Sequence, residues 1–135
     1  ERELIGGSLS VNDLEEAWNA RFLSDFGVAV DRPSHGMLQD VHWSVGLFGY
    51  FPTYSLGNVY AGCLHRALRE AVPDLDDHLA RGDASPATAW LRENLQRHGG
   101  LRTPRETVAL ACGFEPTEGP LLDYIEAKFA AIYRL

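Results

Sequence analysis

The chain has 135 residues, 45% hydrophobic and 23% charged, a composition typical of a globular domain with a sizeable core. Its net charge is −7 and its positive residues are scattered, which argues against nucleic acid as a partner and against a helical DNA-binding protein. No apolar run approaches the ~18 residues of a membrane span, and no signal peptide opens the sequence, so no membrane partner is expected. Cys63 and Cys112 lack C-x-x-C spacing, which favours buried thiols in a cytoplasmic protein.

The first part of the sequence predicts a helix end, a helix and a loop. Residues 1–5 resemble the last turn of a helix that a Gly-Gly pair ends, so we expect the chain to be cut from a longer protein at its N-terminus. A capping signal over residues 10–13 precedes a helix with apolar residues at helical spacing, and Gly27 ends it. Residues 28–36 are expected to form a loop.

A long helix is predicted to begin at Pro52, because proline suits the first helical position. Its apolar residues recur at the spacing of one helix face and predict a buried stripe. The stripe consists of Leu56, Val59, Tyr60, Cys63, Leu64, Ala67, Leu68 and Ala71.

The remaining sequence predicts four more helices. A short helix capped by Asp74 is followed by one over residues 85–98 and by one that a capping box at 103–106 opens and Gly113 closes. The last helix lies within residues 117–135. No strand alternation or repeat is present, so the predicted fold class is all-α and helical-bundle-like. The last helix is expected to turn one set of residues inward: Leu122, Ile125, Phe129, Ile132 and Tyr133.

The segment 36–54 is the part of the sequence most suggestive of chemistry. Gln39, Asp40 and His42 are costly to bury unless each finds a partner, and a neighbouring Asp or Gln can orient a histidine ring. Glycines in the segment allow close approach to a ligand. Tyr54 falls in the first turn of the predicted helix, where exposed N–H groups suit a carboxylate or an oxyanion.

A second interpretation of this segment is purely structural. Its aromatic residues would be core side chains around a Gly-Tyr-Phe-Pro turn, and His42 would be a hydrogen-bonded core group. The residue types alone leave both interpretations open. The aromatic residues are Trp43, Phe48, Tyr50, Phe51 and Tyr54.

The string Gly36-x-x-Gln39-Asp40-x-His42-Trp43 resembles a signature of the carboxypeptidase Taq family of zinc metallocarboxypeptidases. The run Phe48-Gly-Tyr-Phe-Pro-Thr-Tyr54 that follows is similar to that family as well, and the resemblance extends over essentially the whole chain. It implies that the chain is the C-terminal portion of a larger all-helical catalytic domain.

One family feature is missing from these residues. None of the five histidines is followed by Glu and no two are four residues apart, so the H-E-x-x-H zinc motif is absent, as is an Ile-Arg-x-x-Ala-Asp signature. The resemblance implies that both lie upstream of residue 1. We therefore expect residues 1–135 to form a single helical subdomain without its own metal. Zinc or another divalent metal would be bound in the full-length enzyme, and the isolated chain would be inactive.

The resemblance implies a role for each polar residue of the segment. His42 would donate a hydrogen bond to the substrate or the transition state. Tyr54 and Tyr50 are both candidates for the phenol that stabilises the tetrahedral intermediate. Gln39 and Asp40 would orient His42 or hold the backbone, and Trp43 is grouped with them as a supporting or substrate-binding residue.

The resulting hypothesis is a metallocarboxypeptidase that releases C-terminal amino acids from peptides, with this chain forming one wall of the cleft. Its expected partners are peptide C-termini, the rest of its own catalytic domain and a second subunit in a homodimer. The alternative hypothesis is a non-catalytic all-helical binding module. Without the metal-bearing half, the aromatic residues of 36–54 are expected to be exposed, and the segment to be mobile or covered by self-association.

Overall fold

The computed structural model describes all residues, Glu1–Leu135, and contains seven α-helices and no strand. The all-α prediction is confirmed. The chain divides into two compact units, Glu1–Pro52 and Thr53–Leu135. The expectation that residues 1–135 serve as a single subdomain of a larger domain stays a prediction.

The first unit contains two α-helices, α1 (Arg2–Ile5) and α2 (Leu14–Phe26). Ser10 Oγ accepts a hydrogen bond from the backbone N–H of Asn12 at 3.1 Å and opens a 3₁₀ turn that leads into α2. Gly27 ends α2 in the left-handed conformation, with φ 69°. The predicted capping signal and the predicted end of this helix are confirmed.

Three 3₁₀ turns occupy the rest of the first unit, at Pro33–His35, Met37–Gln39 and Trp43–Val45. Only the first of them lies within the predicted loop at 28–36, whose other residues are in no helix or strand, so the loop prediction holds apart from this turn. Short 3₁₀ turns satisfy local backbone groups without long helices, which suits a segment rich in glycine and proline.

The second unit is formed by five helices, and the first of them, α3, begins at the last residue of the first unit. Thr103 and Glu106 form the predicted capping box, with the Thr103 N–H donating to Glu106 Oε2 at 2.9 Å. No helix of the chain has the length and apolarity that a bilayer crossing requires. The five helices are α3 (Pro52–Ala71), α4 (Leu75–Ala80), α5 (Ser85–Asn94), α6 (Pro104–Cys112) and α7 (Gly119–Tyr133).

Two local predictions in this unit were wrong. Helix α5 ends at Asn94 instead of His98, because Leu95 leaves helical geometry (φ −124°, ψ −64°) and a 3₁₀ turn follows. Asp74 precedes α4 but makes no capping hydrogen bond. Its carboxylate lies 3.3 Å from His78 Nε2 instead.

The hydrophobic core of the second unit is small. It consists of five buried residues from α3, α4 and α6. The buried residues of α3 belong to the centre of the predicted stripe. The residues at the two ends of that stripe, Leu56 and Ala71, are exposed. The Cys63 thiol is fully buried and donates a hydrogen bond to the Thr117 carbonyl at 3.3 Å. Burial raises the pKa of the other thiol, that of Cys112, to about 11. The five core residues are Cys63, Ala67, Leu68, Leu75 and Val108.

Helix α7 packs differently from the prediction. Its N-terminal end lies against α3, where Pro120 is buried and Leu121 is so close to Gly62 that a Cβ on that glycine would lie 2.8 Å from Leu121 Cα. Tyr124 meets the ring of His65 edge-on at 5.1 Å. The predicted inward residues are on another side of the helix and are exposed, by 38–65%. They are Leu122, Ile125, Phe129, Ile132 and Tyr133.

The α3–α7 contact leads to a first prediction. Replacing Gly62 by Ala forces the two helix backbones apart and should lower the free energy of unfolding by about 1–3 kcal/mol. Gly57→Ala, in the same helix but with no atom within 4 Å of the added Cβ, should raise it by about 0.5–1 kcal/mol. Urea unfolding of both variants measures the difference, and equal effects would contradict the close contact.

Candidate functional site

The centre of the candidate site is a pairing between Asp40 and His42. One carboxylate oxygen, Asp40 Oδ1, accepts the backbone N–H of His42 at 2.7 Å and lies 2.8 Å from the ring nitrogen Nδ1. Both side chains are largely shielded, with 18% of His42 and 22% of Asp40 exposed. The backbone N–H of His42, followed by its ring, lowers the pKa of the Asp40 carboxyl below 3.8, although partial burial opposes this.

Two aromatic rings hold the imidazole of His42 from other directions. Tyr50 stacks on it with ring centroids 5.4 Å apart and planes at 25°, and Phe51 meets it edge-on at 4.8 Å and 66°. The chain turns back through two glycines in the left-handed region, Gly46 (φ 76°) and Gly49 (φ 69°). Because these turns bring the following aromatics back over the ring, the orientation of His42 is defined by packing as well as by the carboxylate.

Gly36 anchors this segment to helix α2. It is buried, and a Cβ on it would lie 2.8 Å from Val30 Cγ1, 3.2 Å from Asn19 Oδ1 and 3.4 Å from Trp18 Cδ1. No larger residue fits without displacing these neighbours. The glycine that begins the Gly36-x-x-Gln39-Asp40 string therefore allows close packing of the segment on α2.

The remaining polar residue of the string holds the backbone. The side-chain amide of Gln39 donates to the carbonyl of Ser34, in the preceding 3₁₀ turn. Of the two roles that the sequence left open for Gln39 and Asp40, Gln39 thus contacts backbone and Asp40 contacts the histidine ring.

A cavity of about 310 Å³ lies beside the Asp40–His42 pair, within the first unit. Its lining is mainly apolar and aromatic, with two carboxylates, a mixture that suits an organic ligand with one apolar and one polar end. The indole N–H of Trp18, one of its lining residues, is buried without a hydrogen-bond acceptor. The lining residues are Glu1, Leu4, Leu14, Trp18, Met37, Asp40, Trp43 and Phe51.

The structure brings most of the predicted site residues together. Asp40 and Tyr50 each contact the His42 ring, and Trp43 lines the adjoining cavity with its own ring 5.0 Å from Phe48. Tyr54 belongs to the second unit, in the first turn of α3, and is 53% exposed. Its role in the site stays a prediction.

Within residues 1–135 the aromatic side chains of the segment do not form a buried core. Phe48, Tyr50, Phe51 and Tyr54 are between 39% and 55% exposed, and only Trp43 is half-buried. The expectation of exposed aromatics is confirmed by these values.

Two contributors to the site were not identified from the sequence. Phe51 contacts His42 directly, and Gly36 seats the segment on α2. Gly36 begins the string Gly36-x-x-Gln39-Asp40, and a glycine there was a signal for close packing. The sequence does not show that the element it packs against is α2. Nothing in the sequence distinguishes Phe51 from the other aromatics nearby.

The family resemblance raises the question of a metal site in these residues. No group of three or more His, Cys, Asp or Glu side chains in residues 1–135 is arranged to hold a metal ion. The residues present therefore do not by themselves fit a catalytic metal.

A family model described as carboxypeptidase Taq (M32) metallopeptidase matches residues 1–129. The chain is 41% identical over 133 residues to thermostable carboxypeptidase 1 of Thermus thermophilus, covering 98% of this chain and 26% of that protein. It is 36% identical over 135 residues to carboxypeptidase 1 of Bacillus subtilis, covering 100% of this chain and 27% of that protein. The chain thus spans about a quarter of the length of the curated relatives it matches.

Solved structures give the same result. The chain superposes on an M32 carboxypeptidase from Deinococcus radiodurans with a TM-score of 0.94 at 39% identity, over 99% of this chain and 27% of that one. For Trypanosoma cruzi metallocarboxypeptidase 1 the TM-score is 0.87 at 32% identity, over 93% and 26%. The chain belongs to the carboxypeptidase Taq (M32) metallopeptidase family, and the resemblance inferred from its motifs is confirmed.

The Asp40–His42 pairing predicts an acid transition in this segment. Because the folded-state pKa of Asp40 is lowered, its hydrogen bonds stabilise the turn above the ordinary value of 3.8 and are lost as the pH falls through the lowered pKa. An NMR titration of the His42 amide proton should show a midpoint below 3.8, and Asp40→Asn should abolish that step. A midpoint at or above 3.8 would contradict the pairing.

Proposed function

We propose that this chain is the C-terminal portion of a zinc-dependent metallocarboxypeptidase that releases C-terminal amino acids from peptides, and that residues 36–54 form one wall of its cleft. Family membership supports the class of enzyme. The observation that carries the site is the shielded Asp40–His42 pair, next to an apolar cavity and flanked by Tyr50. The proposal includes peptide C-termini as substrates, a cytoplasmic location and a homodimer.

His42 is the proposed hydrogen-bond donor to the substrate or to the oxyanion. Nδ1 lies 2.8 Å from Asp40 Oδ1, so Nε2 is the proposed donor atom, and it donates a hydrogen bond only when the ring is doubly protonated. The Asp40 carboxylate is the counter-charge for that form. Asp40 therefore acts as a positioning residue: it fixes the ring and balances its charge.

Tyr50 and Tyr54 are both proposed as the phenol that stabilises the tetrahedral intermediate, and the Tyr50 ring contacts His42. That ring stacks on the imidazole, so a substrate group reached by His42 would lie close to the same aromatic surface. Tyr54 remains the second candidate. Gln39 and Trp43 support the segment, the first through the backbone of Ser34 and the second through the cavity wall.

The metal of the full-length enzyme would be held by residues outside this chain. Zinc or another divalent ion would polarise the scissile carbonyl and activate water. The residues of this chain contribute binding, orientation and hydrogen-bond donation. A donor of this kind, aimed at developing negative charge, is typically worth about 10²–10³ in turnover.

The site assignment predicts selective losses in the full-length enzyme. His42→Ala should lower kcat by about 10²–10³, and one of Tyr50→Phe and Tyr54→Phe should do so as well, because the lost hydrogen bond forms mainly in the transition state. Tyr133→Phe, an exposed tyrosine of α7, is the matched control and should leave kcat unchanged. Wild-type kcat in all three site variants, measured on a peptide substrate, would refute the assignment.

The missing zinc motif predicts the behaviour of the isolated chain. Without H-E-x-x-H the isolated chain should show no peptidase activity and retain no stoichiometric zinc after dialysis. The full-length protein should hydrolyse peptides and retain its zinc. Metal analysis by mass spectrometry and a peptide-hydrolysis assay check this. One zinc per chain held by residues 1–135 would overturn the proposed division of the site.

A further inference from the structure

The side chain of Glu1 makes a long-range contact with the segment 36–54. Its carboxylate oxygen Oε1 accepts a hydrogen bond from the backbone N–H of Gly49, 48 residues further along the chain. A hydrogen bond from a backbone N–H to a charged carboxylate is stronger than one between neutral groups. Glu1 also lines the cavity beside the Asp40–His42 pair. It therefore belongs to the surroundings of the candidate site, although it lies outside the signature string.

The backbone of Glu1 is tied to the first turn of α1. Its carbonyl accepts the N–H of Ile5 at 3.0 Å, in the i to i+4 pattern of a helix. Leu4, from the same turn, lines the cavity together with Leu14 and Trp18 of α2. The Glu1 carboxylate is thus presented to Gly49 from a helix turn that shares the cavity wall with α2.

The turn that donates this hydrogen bond leads directly into Tyr50. At the start of the turn, the N–H of Leu47 donates to the carbonyl of His42 at 2.9 Å. At its end, Gly49 is in the left-handed region with φ 69°. A glycine can adopt many conformations, and no atom lies within 4 Å of the place where a Cβ on Gly49 would be. The hydrogen bond to Glu1 therefore restrains a residue that side-chain packing does not hold.

Two carboxylates fix the backbone at the two ends of this short stretch. Asp40 accepts the N–H of His42 at 2.7 Å, and Glu1 accepts the N–H of Gly49. Between these two points the chain turns back, and the Tyr50 ring stacks on the imidazole with centroids 5.4 Å apart. Asp40 thus orients His42 from one side, and Glu1 restrains the glycine that brings the stacking ring to the other.

We propose that Glu1 is a positioning residue of the site: its carboxylate restrains the turn at Gly49 and so keeps the Tyr50 ring stacked on His42. The inference rests on the proposed function, in which His42 is the hydrogen-bond donor. In this role Glu1 contacts no reacting atom and transfers no proton. Because it supplies an acceptor oxygen, the amide oxygen of glutamine can replace it, whereas alanine cannot.

Hydrogen exchange of the full-length enzyme, followed peptide by peptide with mass spectrometry, tests whether Glu1 restrains the turn. Glu1→Ala should raise the exchange rate of residues 46–50 at least about tenfold, because the turn then opens more often. Glu1→Gln should keep the wild-type rate. Glu3→Ala is the matched control, since Glu3 is an exposed glutamate of α1 that does not line the cavity, and it should also keep that rate.

Kinetics on a peptide substrate separate a positioning role from a merely structural one. Glu1→Ala should lower kcat about tenfold or more and change KM less than about threefold, because a misplaced donor weakens the transition state more than the bound substrate. Glu1→Gln should restore kcat to within about twofold of the wild type. Glu3→Ala should leave kcat unchanged.

Three outcomes would overturn the proposal. Wild-type exchange of residues 46–50 in Glu1→Ala would show that Glu1 does not restrain the turn. Faster exchange with wild-type kcat would show that the restraint does not act on the reaction. A loss of kcat in Glu1→Gln as large as that in Glu1→Ala would show that the acceptor oxygen is not what matters. His42→Ala, assayed beside these variants, distinguishes the failures: if it lowers kcat, the proposed function stands and only the role of Glu1 fails.

Discussion

A single carboxylate oxygen, Asp40 Oδ1, sets the conformation on which the candidate site depends. It accepts the His42 backbone N–H and faces the ring of the same residue, so it fixes the peptide and the imidazole together. Two left-handed glycines, Gly46 and Gly49, then allow the chain to return so that Tyr50 and Phe51 contact the ring. A histidine constrained on three sides by carboxylate, stacked ring and ring edge keeps one orientation. Such an orientation is what a donor to a transition state requires.

The distribution of apolar surface fits a portion of a larger catalytic domain. Only five hydrophobic residues are buried, all in the second unit, while aromatic and aliphatic side chains are exposed both in the segment 36–54 and along α7. These two surfaces have different chemistry. The first combines aromatics with Asp40 and His42, and under the proposed function it faces substrate. The second consists of apolar side chains without a polar cluster beside them.

The sequence predicts those features of this fold that depend on local chemistry. Ser10 opens the 3₁₀ turn that leads into α2, Gly27 ends α2, and Thr103 and Gly113 delimit α6, because capping hydrogen bonds and left-handed glycines act within a few residues. Periodicity was less informative for α7, because this helix is apolar on two sides. The periodicity of a sequence groups residues by helix face but does not show which face packs against a neighbouring helix. In the site, the signature string identifies Asp40 and His42. The contacts of Phe51 with the ring and of Gly36 with α2 depend on tertiary packing and could not be predicted.

The central claim is that the segment 36–54 faces the substrate in the full-length enzyme. A crystal structure of the full-length protein with a bound, uncleaved peptide tests it most directly. The account predicts His42 Nε2, or the hydroxyl of Tyr50 or Tyr54, within the ~2.7–3.2 Å of a hydrogen bond from the peptide's terminal carboxylate or scissile carbonyl. A peptide bound at the metal with none of these three side chains in contact would contradict it.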